Sequence, residues 1–336
     1  MKKLTLTVAI LAATFFSCTE ESSNLNIEES LQSSTAEEAE IPEKRTCVVM
    51  ENLALELEND SELEQKMNAI EKHTYDYEVR MAKEALEIPY GHGARRAYVI
   101  NIPVVVHVLY NTKKENISLS QIYSQINVLN EDFNKRNADV SKTPAAFASK
   151  VASADFKFRL VAVSRKHSTI TSWGTGNKMK YSYQGGADAW DTSKCLNIWV
   201  CNIGGGVLGY AQFPGGSANT DGVVVSPNVF GRTGYVSYPF NKGRTLTHEI
   251  GHWLNLRHIW GDGGCSKSDY VSDTPTSDRP NYGCPSYPTR HCSSTDMTMN
   301  YMDYVNDSCM YMFTKGQRTR MRSLFAVGGH RRSFIY

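Results

Sequence analysis

Apolar residues follow several distinct rhythms along this 336-residue chain. Leu4 to Phe16 form one apolar run, opened by Lys2 and Lys3 and closed by Ser17-Cys18. The run is far short of the about 20 residues that cross a bilayer, so it reads as an export signal. Residues 19 to about 45 are rich in Ser and Glu with almost no aromatics, the composition of a disordered tether. From Cys47 to Leu86 the pattern turns helical, with Leu53, Leu55, Leu57, Leu63, Met67 and Ile70 set among Glu and Lys. Gly91-His92-Gly93-Ala94-Arg95-Arg96 interrupts it with a flexible basic stretch of the kind proteases cut. Tyr98 to Tyr110 is then a continuous β-rich run, which predicts a buried strand. Residues 119–136 repeat Ile122, Ile126, Leu129 and Phe133 at helical spacing. Strand-like runs follow at 156–163, 196–203 and 222–226, separated by glycine-rich turns. A helix among several strands predicts a mixed α/β sheet. There is no internal repeat and no nucleic-acid motif.

Composition excludes a disordered, collagen-like or multi-span membrane protein: 41% of residues are hydrophobic and 21% charged. The formal net charge of +1 conceals a split. Residues 19–94 hold 19 acids and 6 bases, a net of −13, whereas 95–336 hold 28 bases and 16 acids, a net of +12. The expected organisation is a signal at 1–18, an acidic propeptide at 19–94 and a basic body at 95–336. Opposite charges would help the propeptide dock on the body.

Chemistry concentrates at 247–258, Thr-His-Glu-Ile-Gly-His-Trp-Leu-Asn-Leu-Arg-His. On a helix, His248 and His252 share one face a turn apart, so two imidazole nitrogens reach one metal. Glu249, beside the first ligand, is placed to act as a base. His258 follows six residues after His252, beyond Asn255, where the helix must stop and the backbone turn back. Asn tolerates left-handed backbone angles better than any residue but Gly. Three histidines around Zn²⁺ leave a fourth position open, the layout of a catalytic site. A glutamate as third ligand is excluded, because none occurs after Glu249; Asp262 is the nearest aspartate alternative. The residues therefore imply a zinc hydrolase, in which the metal activates water and polarises a carbonyl while Glu249 moves the proton.

This extended motif, followed by Asn300-Tyr301-Met302-Asp303-Tyr304, resembles the metzincin endopeptidases, and within them the short prokaryotic pappalysins. IPVVVHV (102–108), LNIWVCNIGGGVLGYAQFP (196–214) and FTKGQRTRM (313–321) extend the resemblance over about 95–335. Most of the family has Gly where Asn255 stands here, and the clan tolerates Asn at that position. The resemblance implies a zincin fold: a twisted mixed sheet, a backing helix, an active-site helix and an irregular, disulfide-stapled C-terminal part. It implies that Met302 floors the metal site and that Tyr304 supports the tetrahedral intermediate. It implies interleaved disulfides Cys265–Cys292 and Cys284–Cys309, where spacing alone allows three pairings. It also implies Asp307 at the base of a primed-side pocket that prefers Arg, and less so Lys, just after the scissile bond. Ala94–Arg95 would then suit autolytic activation.

Eight cysteines in a chain that carries an export signal point to an oxidising compartment. Cys195 and Cys201, six apart in one strand, would lie about 20 Å from each other and cannot bridge. Cys47 is the odd residue, either a free thiol or a switch that occupies the fourth zinc position and keeps a zymogen latent. Cys18 follows a small residue as in a lipoprotein signal, where it would carry acyl chains; the plainer reading is a secretory signal with an incidental cysteine. Relatives bind Ca²⁺ after the zinc helix, and Asp262, Asp269, Asp273, Thr274 and Asp278 offer hard oxygen ligands there. The resulting expectation is an exported monomeric zinc endopeptidase, secreted or held at the outer membrane or cell surface by a lipid. It would act on proteins or peptides and bind no nucleic acid. The alternative is a non-catalytic zinc-containing surface lipoprotein, which an intact Glu249 argues against.

Overall fold

A computed structural model describes residues 42–87 and 98–335. The export signal with Cys18, most of the Ser/Glu tether and the Ala94–Arg95 bond lie outside the described residues. The helices are α1 (Val49–Asn59), α2 (Leu63–Glu87), α3 (Leu119–Asp132), the single turn α4 (Ala145–Ala148), α5 (Arg244–Trp253) and α6 (Lys315–Ser323). The main sheet contains β1 (Ile100–Tyr110), β2 (Phe156–His167), β3 (Leu196–Val200), β4 (Gly209–Ala211) and β5 (Val223–Val225), in the order β2-β1-β3-β5-β4. All neighbours are parallel except β4, which runs antiparallel to β5 at one edge. No helix among the described residues is long and apolar enough to cross a membrane.

The single helical pattern expected over 47–86 is two helices, broken at Asp60-Ser61-Glu62, where the Glu62 amide donates to the Asp60 side chain. The expected β1 run is confirmed as a strand buried on both faces. Ile100, Ile102, Val104, Val106 and Val108 join the main core, while Leu109 packs on the opposite face with Trp199, Cys201, Tyr210 and Val224. Alternation along a strand sends successive side chains to opposite faces. A sheet covered on both sides therefore reads as an unbroken apolar run. The edge strand β4 is not legible in the sequence, because three residues carry too little alternation.

The backing helix α3 positions the active-site helix through polar side chains on its buried face. Ser118 caps it by accepting from the Gln121 amide at 3.1 Å. Buried Gln121 uses its Nε2 on three carbonyls of a distant loop, Pro227 (3.0 Å), Phe230 (2.9 Å) and Tyr235 (3.0 Å). One turn on, Gln125 donates to the Gly243 carbonyl at 3.0 Å. Gly243 opens α5 with φ 75°, and a Cβ there would lie 2.9 Å from Gln125 Oε1, so a side chain would be strained and would push Gln125 aside. Helix α3 ends earlier than its apolar spacing suggests, in a turn where Lys135 takes φ 55° and the Arg136 amide reaches the Glu131 carbonyl at 2.8 Å, while the Asp132 carboxylate accepts from Thr247 Oγ1 of α5 at 2.8 Å.

Gln121→Leu should strand these loop carbonyls. The expected loss is about 2–4 kcal/mol, or roughly 5–15 °C in thermal midpoint by calorimetry.

Candidate active site

Every residue of α5 is buried, and the helix carries His248, Glu249 and His252 inward. It ends in a Schellman turn: the Leu256 amide reaches the Gly251 carbonyl at 2.9 Å, and the Asn255 amide the His252 carbonyl at 2.8 Å. Asn255 takes φ 71°, the left-handed conformation its position demanded. The backbone then doubles back and brings His258 to the other two histidines.

The Nε2 atoms of His248 and His258 each lie 3.1 Å from Nε2 of His252. Each Nδ1 is used outward: His248 on the Tyr301 carbonyl at 2.7 Å, His252 on the Leu256 carbonyl at 2.8 Å, and His258 on Asp262 Oδ1 at 2.5 Å. These acceptors put the proton on Nδ1 and leave three Nε2 lone pairs facing one point. Burial and the neighbouring imidazoles hold His248 and His252 well below the usual histidine range, so both stay neutral. Zn–N bonds of about 2.0–2.1 Å place tetrahedral ligands about 3.3–3.4 Å apart, so this donor set fits zinc. Asp262, the alternative third ligand, instead supports His258 from behind.

Met302 lies under α5, where a Cβ at Gly251 would come within 2.4 Å of its sulfur; glycine lets the helix and this turn meet. Asn300 Oδ1 accepts from the Met302 amide at 3.0 Å and shapes the turn that aims the Tyr301 carbonyl at His248. The Tyr304 ring lies 4.9 Å from that of His258, and Trp260 stacks on His258 at 4.3 Å. Trp260 is a part of the site that the sequence does not mark, since a tryptophan two residues after a ligand stands in no rhythm.

The N-terminal segment fills the site. Cys47 Sγ lies within 4.8 Å of the ligating atoms of all three histidines and donates to Glu249 Oε2 at 3.3 Å. Burial pushes Glu249 up to about 8, against the opposing pull of the Cys47 thiol and the Arg45 charge. The Cys47 thiol is likewise pushed up by burial and by Glu249. Tyr304 OH donates to the Cys47 carbonyl at 3.1 Å. The Leu208 amide donates to the Thr46 carbonyl at 3.2 Å, and Cys47 pairs in parallel with Gly209, so the segment extends the sheet at its β4 edge.

Arg45, which no sequence pattern singles out, is 2% exposed. Its Nη2 meets Asp307 Oδ1 at 2.7 Å, its Nη1 meets Thr245 Oγ1 at 3.0 Å, and its guanidinium lies 4.9 Å from the Phe240 ring centre. Asp307 Oδ2 accepts from the amides of Lys242 (2.8 Å) and Arg244 (3.2 Å), and Arg244 Nη1 holds the Asp307 carbonyl at 2.7 Å. The disulfides are Cys265–Cys292 and Cys284–Cys309, and Cys195 and Cys201 are free. The five oxygen side chains offered for calcium do not converge. Asp262 holds His258, Asp273 accepts from Thr314 and Gly316, and Asp278 pairs with Arg279. Only Asp269 and Thr274 meet, at 2.7 Å.

Comparison with known proteins agrees with this geometry. The peptidase family M43, described as pregnancy-associated plasma protein-A, matches residues 180–326. Extracellular metalloprotease 1 of Coccidioides posadasii is 37% identical over 245 residues, 67% of this chain and 77% of that protein. Mature mirolysin of Tannerella forsythia, solved with a cleaved peptide, is 49% identical with a TM-score of 0.70, covering 71% of this chain and 96% of that one. A promirolysin variant of the same organism is 42% identical with a TM-score of 0.75, and its match covers 86% of this chain and 97% of that one. The pro-form thus extends the match beyond what the mature form reaches.

Asp262→Asn should weaken zinc binding by about 10- to 100-fold, because it removes the acceptor that orients His258. Competition with a chromogenic chelator measures this.

Proposed function

This protein belongs to the pappalysin family of metalloproteases and is a zinc-dependent endopeptidase, and we propose that it is an exported zymogen cutting before arginine or lysine. Its leader, residues 19–94, would lie in the cleft as a reversed imitation of substrate. The contact that carries the reading is Arg45 on Asp307, with Cys47 two residues later beside the three histidines. A substrate with Arg just after the scissile bond has that guanidinium on the C-terminal side of the reacting carbonyl. The leader has it N-terminal to the group at the metal site. It therefore runs the opposite way, filling the pocket while offering Glu249 no peptide bond in the productive sense.

Leader atoms stand where reacting atoms would. Zinc, when held by His248, His252 and His258, supplies a Lewis acid for the scissile carbonyl and lowers the pKa of water toward neutrality. Glu249 Oε2, which here accepts the Cys47 S–H, is placed to accept the proton of attacking water and to pass it to the leaving amine. Tyr304 OH, which here donates to a leader carbonyl, would donate to the oxyanion. Met302 would fix the base of the site through its contact with α5. In the pocket, the two amides and the Arg244 guanidinium keep Asp307 oriented for a substrate guanidinium.

The relatives named extracellular metalloproteases, together with the N-terminal signal pattern, support export. Lipid attachment at Cys18 stays with that reading. For calcium, Asp269 with Thr274 and the Val271 carbonyl forms the one hard-oxygen group among the five side chains considered, and burial raises the Asp269 carboxyl to about 6, so a bound cation would relieve it.

The protein freed of its leader should cleave casein, and both 1,10-phenanthroline and Glu249→Ala should abolish this. Asp307→Asn should lower kcat/KM for peptides with Arg after the scissile bond by roughly 30- to 1,000-fold. Profiling on a peptide library would refute the pocket if the Arg preference survived. Cys47→Ala should speed the appearance of activity in the full-length protein. N-terminal sequencing of its product should begin at Arg95; latency as in the parent would remove the switch.

A further inference from the structure

The leader touches the body at a second place, away from the cleft. On α2, Glu71 Oε1 accepts from Arg320 Nη2 at 2.5 Å and from Asn255 Nδ2 at 3.2 Å. Arg320 also donates through Nε to the Asn255 carbonyl at 2.7 Å. One glutamate thus reads both the guanidinium of α6 and the side chain of the turn that follows the zinc helix. Two residues further on, His73 Nε2 donates to the Ser323 carbonyl at 3.0 Å. Thr74 meets Ser323 Oγ at 2.9 Å, and the Ser323 hydroxyl itself donates to the Arg320 carbonyl, so Thr74 is the donor. Thr74 is fully buried and Arg320 is 2% exposed. Leu63, Met67 and Ile70 on α2 join the main core.

These contacts all precede residues 88–97 in sequence, as do Arg45 and Cys47. A cut anywhere in 88–97 breaks none of them. The two sets are linked through α1 and the turn at 60–62, so each keeps the other at an effective concentration on the order of millimolar.

We infer that α6 and the Asn255 turn form a docking surface for the acidic helix α2, and that it retains the severed leader as a noncovalent inhibitor. Cutting the junction is then necessary for activation but does not open the cleft; loss of the α2 anchor does. The inference rests on the zymogen reading above. It also gives Asn255 a use that glycine would not supply, since only a side chain reaches Glu71.

The test uses the full-length protein with a foreign protease site replacing residues 91–96, in a Glu249→Ala background that cannot cut itself. After complete cutting, the leader should co-elute with the body in size exclusion at micromolar concentration. It should still do so when Arg45→Ala has broken the pocket contact. Glu71→Gln should weaken retention by roughly tenfold or more, since one partner of a largely buried charge pair is lost. Thr74→Val should weaken it less. Glu84→Gln, at an exposed position on the same helix, should match the parent. Separation of the leader on cutting the parent overturns the inference, as does equal retention in the Glu71, Thr74 and Glu84 variants. Co-elution needs no peptidase activity, so failure of the anchor and failure of the endopeptidase reading are distinguishable.

Discussion

Three imidazoles must stay neutral, buried and aimed at one point, and the rest of the structure is arranged around that demand. A ring protonated on Nε2 has no lone pair left for a metal, and each ring would rotate away if its other nitrogen lacked a partner. The fold meets this by giving every Nδ1 an acceptor from a different source: the Met302 turn for His248, the Schellman turn for His252 and Asp262 for His258. Two of the three acceptors are backbone carbonyls, which do not depend on a neighbouring rotamer. The Asn300 bond to the Met302 turn and the left-handed Asn255 hold the two carbonyls in place.

The leader uses the same site by presenting substitutes. Its thiol engages Glu249, its backbone carbonyl engages Tyr304 and its guanidinium meets Asp307. The opposite net charges of leader and body suggested acid docking on base. At Glu71 and Arg320 this holds. In the cleft the signs are reversed: the leader supplies the base, Arg45, and the body the acid, Asp307. Net charge governs long-range approach, whereas a buried pair is decided by the few atoms that replace water around each ion. A charge summed over the whole leader could not anticipate that the decisive contact runs against it.

Asp307 illustrates how a buried carboxylate is fixed by backbone. Its carboxylate is fixed by two amides at the start of α5, so the same helix that holds two histidines also holds Asp307. Asp307 and the histidine cluster therefore share one element. Arg244 ties this corner to the segment after α3 through Asp139, at 2.6 Å.

The sequence by itself determined the local chemistry. His248, Glu249, His252 and His258 were legible because helical periodicity and a single left-handed residue fix their spacing within one short segment. The β1 strand, the α3 helix and the sheet class were legible from hydrophobic rhythm. What only the tertiary structure decided were contacts between residues distant in sequence. Arg45 meets Asp307 across 262 positions and Glu71 meets Arg320 across 249. The dispersal of Asp262, Asp273 and Asp278 to separate tasks belongs here too, as does the edge strand on which the leader lies. Periodicity records only which face of an element is buried. Which distant residue a buried charge meets depends on how the elements pack, and a one-dimensional pattern holds no trace of that.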